Sequence, residues 1–534
     1  MFIGKDGKQL TDIDQIITID VKIIPSKGKK EFEAKWLATF GRAVTGDSTS
    51  GQNYSFQTKI SFVNDLKEIE LTRLAFSNWE ENLVNDEWEV MAEIRDIPFY
   101  FMDAQRDLVE DINLRTSNIG RMANKFQDDY SQELIAKIEK DLETLNEEAV
   151  GGSKVLSHIK KSLEELNQTV QGEGRGVEIT PLPKKVRDLH KGMKIHFQDG
   201  ESDSFSLEYH GMGTRSWASL LAFKARISWE TIQKEGKPFF PILGLEEPEA
   251  HLHPNAQRMV YHQLSELVGQ KIVSTHSPYL AAQCSTWELR NFSKKGDEVL
   301  VEQLNELDFE GDEPRKLKRE VIFSKGELLF SKVIILFEGE TEHQSFPIFF
   351  KKYFGKDTFE LGITLVKVDG NNYKPFLLLA SRFRIEWFIF SDYDQKNIRD
   401  GVDNALKRIF YNDDPPLLRV SRLEKSFENY LVDEGYSSEI KAGINNAFLA
   451  TTPPNTDQRQ ILAGQSKING LTTEQLKVEL KKDDSKVRFP VYWAEEISKL
   501  EGIRSIPLVI RQLFEQVEKI ISPKLNVQPE SSTK

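Results

Sequence analysis

Two short apolar runs that each end in acidic residues constrain the fold of this chain most. Residues 333–337 read Val-Ile-Ile-Leu-Phe and are followed at 338–342 by Glu-Gly-Glu-Thr-Glu. Residues 387–390 read Trp-Phe-Ile-Phe and are followed at 391–394 by Ser-Asp-Tyr-Asp. Apolar runs of this length, bounded by glycine and polar clusters, predict buried parallel strands. Because open α/β sheets build their sites at the carboxyl ends of strands, both acidic groups are predicted at one functional edge.

Hard carboxylate oxygens gathered at one sheet edge suit Mg²⁺ or Mn²⁺, and paired metal ions suit phosphodiester chemistry. A structural alternative exists for each motif. Alone, a strand-end Asp-x-Asp is more often a capped turn than a metal site, and 338–342 could simply begin a helix, where Thr341 is favourable. Their joint occurrence in one α/β unit favours the metal site, because clustered carboxylates without a cation repel one another and raise their pKa values.

Length, charge and cysteine content narrow the class of protein. A chain of 534 residues is too long for one ordinary domain. The one cysteine, Cys284, excludes an internal disulfide framework and a Cys-rich zinc site. No apolar run approaches the ~20 residues that span a bilayer, and the N-terminus lacks a signal-peptide core. These features predict a cytoplasmic protein that does not bind membranes.

The net charge of −13 argues mildly against a nucleic-acid-coating protein, but an enzyme that acts on DNA remains compatible with it. Two basic runs, 184–191 and 315–319, are candidate nucleic-acid patches. An interpretation as solvated charge runs is equally good for each.

The apolar periodicity divides the chain into two α/β regions. The predicted order is a β-rich N-terminal region (16–24 and 54–77), a helical hairpin (131–169) that serves either its own core or a dimer, a strand–helix–strand–helix unit (239–290), a linker (296–325), a second α/β unit (329–435), a C-terminal helix (505–521) and a disordered tail beyond 522.

The first α/β region carries three motifs in a distinctive order. An apolar strand delivers Glu246 and Glu247, a second strand ends at His276, and a glycine-rich turn with Gly211 and Gly213 precedes a predicted helix at 217–227. Exposed amides at such a helix start can meet phosphate. Alone, each motif is usually structural. Their order and spacing together are more specific than any one of them.

This order resembles an ATPase head of the ABC type. The resemblance implies that Glu246 supports Mg²⁺, that Glu247 orients the attacking water and that His276 senses the γ-phosphate. It also implies that the turn at 211–216 is a divergent signature motif read in trans across a head dimer. The chain contains no G-x-x-x-x-G-K-[ST] phosphate loop. We therefore expect an N-terminally incomplete head that does not bind ATP in the usual way, although ATP binding is possible in the family.

The second α/β region resembles a Toprim domain, and an ABC-type head followed by Toprim with the run at 338–342 resembles the OLD (overcoming lysogenization defect) family, to which the Gabija nuclease subunit is related. The resemblance implies a two-metal site for Mg²⁺ or Mn²⁺ in which Lys486 assists the transition state. The implied metal ligands are Glu338, Glu342, Asp392, Asp394 and Glu428, of which Glu338, Asp392 and Asp394 are also the catalytic carboxylates.

The predicted fold class is therefore α/β, with an ATPase-like head (1–295, including the hairpin), a linker (296–325) and a Toprim domain with a parallel sheet and a helical C-terminal extension (326–534). The implied function is metal-dependent DNA endonuclease, with a head for dimerisation or regulation, in phage defence or DNA processing. Implied partners are DNA, further copies of the chain, and a helicase or other defence protein. The alternative is a non-catalytic or partner-dependent scaffold. A topoisomerase is disfavoured because no strand-passage domain is evident, and a bacterial-type primase because one cysteine cannot build its zinc module.

Overall fold

The structure is a computed structural model in which the chain forms two compact units. The amino-terminal unit comprises residues up to Ala256 together with His262–Thr275, and the carboxy-terminal unit comprises Gln257–Tyr261 and the chain from His276 onward. The structure describes residues 16–26, 28–46, 51–63, 68–76, 87–89, 95–106, 108, 130–161, 180–186, 196–197, 205–296, 298–368, 371–393, 395–410 and 417–521.

The described part of the amino-terminal unit contains both strands and helices. Its strands are β1 (Ile16–Ile23), β2 (Val44–Thr45), β3 (Asn53–Val63), β4 (Glu68–Phe76), β5 (Glu87–Glu89), β6 (Phe99–Met102), β7 (His196–Phe197), β8 (Phe205–Ser206), β9 (Ile242–Glu246) and β10 (Gln270–Ser274). Its helices are α1 (Ala34–Phe40), α2 (Gln132–Gly152), α3 (Met212–Gln233) and most of α4 (Pro254–Ser265).

Two sheets organise this unit. Strands β1, β3, β4 and β5 form an antiparallel sheet in that order, with β2 on β3, and this confirms the predicted β-rich region. Strands β10, β9 and β6 form a parallel sheet in which Ser274 lies opposite Glu246. The predicted strand–helix–strand unit is thus confirmed, and the acids at the end of β9 lie at a carboxyl edge of parallel strands.

The carboxy-terminal unit alternates strands and helices and then becomes helical. Its strands are β11 (Arg290–Lys295), β12 (Glu298–Gln303), β13 (Val333–Phe337), β14 (Ile363–Lys367), β15 (Glu386–Asp392) and β16 (Val420–Leu423). Its helices are α5 (Pro278–Ala281), α6 (Glu313–Lys316), α7 (Glu340–Phe354), α8 (Lys374–Arg382), α9 (Lys396–Phe410), α10 (Phe427–Asp433), α11 (Ser437–Thr451), α12 (Gln458–Asn469), α13 (Thr473–Leu480), α14 (Asp483–Arg488), α15 (Pro490–Ser498) and α16 (Leu508–Ile521).

A four-stranded parallel sheet in the order β14-β13-β15-β16 is the centre of this unit. All five residues of β13 are 0% exposed, because the sheet is covered on both faces. Side chains of Val333, Ile335 and Phe337 join one core with α7 and the C-terminal helices. Those of Ile334 and Leu336 join a second core with α8 and α9. The predicted buried parallel strands are confirmed.

The predicted linker and the predicted helical hairpin differ in how they compare with the structure. The segment 296–325, predicted as a linker, contains β12, α6 and a π-helix (Leu317–Ile322) whose apolar side chains enter the second core. Burial of that apolar face gives the segment the order of a domain element, and the exact domain limits stay a prediction. The first helix of the predicted hairpin is α2, and residues 154–161 are helical; the rest of the hairpin and the tail beyond 521 lie outside the described residues.

The predicted C-terminal helix is α16, whose buried side chains include Ile510, Leu513 and Val517. No helix in the described part of the chain is long and apolar enough to cross a membrane.

Candidate functional site

The carboxyl edge of the central parallel sheet brings two predicted site residues together. Phe337, the last residue of β13, lies opposite Phe390 in β15, so Glu338 follows β13 level with Ser391, one residue before Asp392. Parallel register aligns the carboxyl ends of neighbouring strands, which explains why residues 54 positions apart in sequence meet here.

Glu342 joins this edge from the first turn of α7. The helix begins after Gly339, which has no side chain to cap it, and Glu342 is only 4% exposed. A Cβ atom on Gly339 would lie 2.9 Å from Glu342 Oε2. The glycine therefore leaves room for the carboxylate to fold back over the turn between strand and helix.

Glu428 completes the group from α10. Ser426 caps this helix, and Glu428, in its first turn, is 4% exposed. Glu428 Oε1 accepts a 2.5 Å hydrogen bond from Thr341 Oγ1, and Asp392 Oδ2 accepts a 3.1 Å hydrogen bond from the Phe427 N–H. The first turn of α10 therefore binds Asp392 through a backbone N–H and contributes Glu428 as a second carboxylate.

Burial and mutual repulsion perturb two of these carboxyl groups. Burial raises the pKa of Glu342 well above its ordinary value, and the charges of Glu428 and Glu338 raise it further. Burial likewise raises the pKa of Asp392, with added repulsion from Glu342 and Glu428. The positive charge of Lys486, in α14, opposes this shift at Glu342, so the predicted lysine acts on the same group.

The carboxylate oxygens that the structure describes at this edge are the type of ligand that a hard divalent cation prefers, but their present positions do not form a coordination site. Asp392 Oδ1 and Glu428 Oε2 are buried carboxylate oxygens with no hydrogen-bond partner among the described residues. Oxygens of this kind are the ligands that Mg²⁺ and Mn²⁺ prefer. In the described part of the chain, no group of three or more His, Cys, Asp or Glu side chains is arranged so that it could hold a metal ion. Asp394 lies outside the described residues.

The amino-terminal unit presents a second acidic strand end. Glu246 is the exposed last residue of β9, and Glu247 follows it with a positive φ of 40°. Arg106 is buried and donates to the carbonyl oxygens of Glu247 (3.2 Å) and Pro248 (2.6 Å). This guanidinium holds the strained turn in place, and such strain is typical of functional sites.

The helix predicted at 217–227 begins five residues earlier, at Met212, so most of the predicted glycine-rich turn is helical. Gly211 is the N-cap of α3, and Gly213 lies in its first turn, where a Cβ atom would come within 2.9 Å of the His251 carbonyl oxygen. His276 follows β10 and is exposed, with its ring 6.2 Å from that of Phe330. The close approach of the His251 carbonyl oxygen therefore explains why position 213 is a glycine. Contact of Gly211 or Gly213 with a nucleotide stays a prediction.

Comparison with known families matches both units. Residues 47–281 match the AAA ATPase domain family, and residues 329–394 match the family described as overcoming lysogenization defect protein-like, TOPRIM domain. The chain is a homologue of the OLD nucleases. Its ATPase domain contains Glu246, Glu247 and His276, and its TOPRIM match contains Glu338 and Asp392, whereas Glu428 and Lys486 lie beyond that match.

Three curated relatives are similar over parts of their length. The Old nuclease of Escherichia phage P2 is 25% identical over 50% of this chain, and the OLD nuclease of Thermus scotoductus is 27% identical over 45%. The uncharacterized protein YbjD of Escherichia coli K12 is 26% identical over 29%. The chain spans 48%, 46% and 28% of the lengths of these relatives, respectively.

Among solved structures, the C-terminal region of the Xanthomonas campestris pv. campestris OLD protein is 22% identical, with 36% of this chain and 98% of that chain covered at a TM-score of 0.29. The corresponding region of the Burkholderia pseudomallei OLD protein is 20% identical, with 36% and 99% covered at a TM-score of 0.27. The predicted relationship to the Gabija nuclease subunit is not confirmed and stays a prediction.

The TOPRIM site of this OLD homologue includes contacts that the sequence pattern did not single out. Thr341, which the pattern favoured as a helix cap, instead donates its hydroxyl hydrogen to Glu428. Hydrogen bonds from Gln344 and Lys367 to Glu340, the first residue of α7, lower the pKa of Glu340 to about 2. The sequence feature that could have indicated the role of Thr341 is a hydroxyl residue between two acids, at 340–342. The partner Lys367 could be found only from the parallel pairing of β13 and β14.

Proposed function

We propose that this OLD homologue is a metal-dependent DNA endonuclease whose TOPRIM site hydrolyses phosphodiester bonds. The observation that carries the proposal is the grouping of buried Glu342 and Glu428 with half-buried Glu338 and Asp392. Burial, with added repulsion from the neighbouring carboxylates, raises the pKa of Glu342 and Asp392. Buried like charges cost folding free energy, so their retention needs a function such as cation binding. Homology to two nucleases supports the reaction class.

The four carboxylates, together with Asp394, would hold two Mg²⁺ or Mn²⁺ ions. When bound, such ions supply Lewis-acid stabilisation of the phosphodiester and an activated water. The chain's own groups prepare this site. Thr341 and the Phe427 N–H each hold one oxygen of a carboxylate, which leaves Glu428 Oε2 and Asp392 Oδ1 for a ligand.

Lys486 is the cation proposed to act on the scissile phosphate. Its positive charge acts on Glu342 and partly offsets the carboxylate repulsion there. A lysine at such a position would favour the negative charge that develops on phosphate in the transition state. Lys367 is less suited to this role because Glu340 pairs with it at 2.9 Å.

The ATPase domain is proposed to serve dimerisation or regulation. Glu246, Glu247 and His276 occupy the strand ends that a nucleotide site would use, whereas the chain has no phosphate loop of the usual pattern. The proposed cleavage chemistry takes place at the TOPRIM carboxylates and does not use these head residues. Phage defence or DNA processing, with a further copy of the chain and a helicase or other defence protein as partners, completes the proposal.

The test is cleavage of supercoiled plasmid with Mg²⁺ or Mn²⁺ and no nucleotide. Asp392→Asn keeps the side-chain size and the acceptor for Phe427 but removes the charge, and it should lower cleavage on the order of a hundredfold or more. The matched control is Asp400→Asn, which removes an exposed carboxylate from α9.

Equal cleavage by Asp392→Asn and the unaltered protein would contradict the site assignment. A folded, metal-binding protein that cleaves no DNA would support the scaffold alternative, in which a partner supplies what the chain lacks. Isothermal titration with Mn²⁺ separates these outcomes, because Asp392→Asn should weaken metal binding whether or not DNA is cleaved.

A further inference from the structure

An open cavity of about 570 Å³ in the carboxy-terminal unit has none of the TOPRIM carboxylates in its wall. The wall includes Trp287, Arg315, Lys318, Arg319 and Phe323, and we call the cavity the basic pocket. Three of these residues come from the basic run 315–319, which the sequence alone left open between a nucleic-acid patch and a solvated face. The proposed nuclease mechanism uses none of them.

A π-helix places the basic and aromatic side chains on one side of the backbone. Arg315, Arg319 and Phe323 follow one another at intervals of four residues, and the Phe323 N–H donates to the Lys318 carbonyl oxygen at 2.8 Å, five residues back. The wider turn keeps these positions aligned, and π-turns are frequent at functional sites. The opposite side is fully buried through Leu317, Val321 and Ile322. The buried apolar side of the π-helix therefore fixes the position of its basic side, which faces the pocket.

The pocket carries positive charge that the protein only partly neutralises. Arg315 is exposed and forms no ion pair or hydrogen bond among the described residues. Lys318 Nζ donates to the Cys284 carbonyl oxygen at 3.1 Å, a neutral acceptor. Arg319 pairs with Glu320 at 2.5 Å, but its side chain is 65% exposed. In a protein of net charge −13, this local excess of cations favours an anionic ligand.

Aromatic rings interleave with these cations. The Trp287 ring is held against Phe309 at a centroid distance of 5.3 Å in an edge-to-face arrangement, whereas the Phe323 side chain is 63% exposed. Guanidinium groups recognise phosphate, and aromatic rings stack on bases. An acidic peptide would use the charges but leave the rings without a partner. The combination favours a nucleotide.

We propose that the basic pocket binds one unpaired nucleotide, with its phosphate at Arg315 and Arg319 and its base against Phe323. The nucleotide belongs either to a single-stranded stretch of DNA or to a free nucleotide. This inference rests on the proposed function, to which it adds a docking site outside the catalytic carboxylates. The cavity volume lies in the range that holds one small ligand, and a base still stacked inside a duplex cannot enter it.

The experiment measures binding of a fluorescent 15-residue oligothymidylate by anisotropy in EDTA, which prevents cleavage. Arg315→Glu should weaken binding about tenfold and lower the slope of log K against log salt by about 0.7, the value for one phosphate contact on a single strand. Phe323→Ala should weaken binding at least about fivefold, because one stacked base is lost. Both residues are exposed, and thermal melts verify folding. The control is Lys356→Glu, the same charge reversal at an exposed lysine without a partner among the described residues.

Competition identifies the source of the nucleotide. Displacement of the oligomer by thymidine monophosphate at a similar concentration supports a free nucleotide, and failure of the monophosphate to compete supports a DNA strand. Binding unaffected by Arg315→Glu and Phe323→Ala, or lowered equally by Lys356→Glu, would overturn the inference. Preference for a duplex or for RNA of the same length would do so too.

The two proposals fail separately. Normal Mn²⁺-dependent plasmid cleavage combined with pocket variants that bind like the unaltered protein would remove the pocket and leave the nuclease. Loss of oligomer binding in Arg315→Glu, combined with no cleavage by the unaltered protein, would leave the pocket and remove the nuclease.

Discussion

The two parallel sheets of this protein have similar acidic strand ends but very different surroundings. In the TOPRIM sheet, every residue of β13 is buried, and Glu342 and Glu428 at its carboxyl edge are each 4% exposed. In the ATPase sheet, β9 is buried at its centre, but Ile272 in β10 is 57% exposed and Phe99 in β6 is 62% exposed. Glu246 at the end of that sheet is exposed.

This difference shows that an apolar strand followed by acids does not by itself create carboxyl groups with strongly raised pKa values. Helices α7 and α10 and the helices after them cover the TOPRIM edge, so its carboxylates lose water and repel one another. The ATPase strand end keeps water, and water screens charge. Burial, rather than the acids alone, raises the pKa of the carboxyl groups at the TOPRIM edge.

The largest expected contrast is in catalysis. Glu428→Gln should lower nucleotide-free, Mn²⁺-dependent plasmid cleavage on the order of a hundredfold, since a buried ligand is lost. Glu434→Gln, at the exposed C-cap of the same helix, is the matched control. Glu246→Gln tests the other sheet and should cost less than about tenfold in the same assay. A larger effect of Glu246→Gln than of Glu428→Gln would reverse the comparison.

The second contrast is in packing. Ile335→Ala in the doubly covered sheet should lower the free energy of unfolding by about 3 kcal/mol, because a side chain that is 0% exposed leaves a cavity. Ile272→Ala, the same truncation at a 57% exposed position of the other sheet, should cost within about 0.5 kcal/mol. Urea unfolding of both variants measures this. Equal costs would mean that another surface covers β10 in solution.

The third expectation concerns pH. A carboxyl group whose pKa is raised in the folded protein binds its proton more tightly there, so its contribution favours folding at low pH and is lost as the pH rises. For Glu342 and Asp392 this loss begins near the unfolded value of about 4 and continues to their raised folded values. Without metal, we expect the melting temperature to fall on the order of 5 °C between pH 5 and 8.5.

Two comparisons isolate this effect. Asp392→Asn should reduce the fall, because one ionising group and its repulsion are removed. Saturating Mn²⁺ at pH 8 should raise the melting temperature of the unaltered protein but not that of Asp392→Asn. A melting temperature that rises over this pH range in the unaltered protein relative to Asp392→Asn would contradict the buried repulsion.

The smallest contrast lies inside the ATPase domain. Gly213→Ala should lower the free energy of unfolding by roughly 1–2 kcal/mol, because its Cβ atom would come 2.9 Å from a backbone carbonyl oxygen. Gly211→Ala, two residues earlier, meets no atom within 4 Å and should cost about 0.5 kcal/mol, because alanine is a poorer N-cap than glycine. Thermal denaturation of the two variants decides this, and similar costs would remove the steric account of Gly213.

Sequence reasoning predicted much of the fold because strand burial and strand ends leave local signals. The run at 333–337 and the acids after it predicted β13 and the position of Glu338, and the run at 387–390 did the same for β15 and Asp392. The apolar stripe of α16 predicted its buried face. Glu428 and Lys486 came from family resemblance, since their local patterns resemble those of ordinary helix residues.

Other features had no local signal. The Thr341–Glu428 hydrogen bond joins residues 87 positions apart, and the Phe427 N–H reaches Asp392 only because β16 places α10 beside β15. The segment 296–325 looks like a charged linker in sequence, because its few apolar residues show their alignment only once the π-turn is formed.

The sequence by itself determined which strands are buried and which acids follow them, because apolar runs and strand-ending polar residues act over a few neighbours. Only the tertiary structure decided which acids would lose their water and face one another. Carboxylate pKa values depend on burial and on charges brought from distant parts of the chain, and both are properties of the packed helices around the TOPRIM sheet.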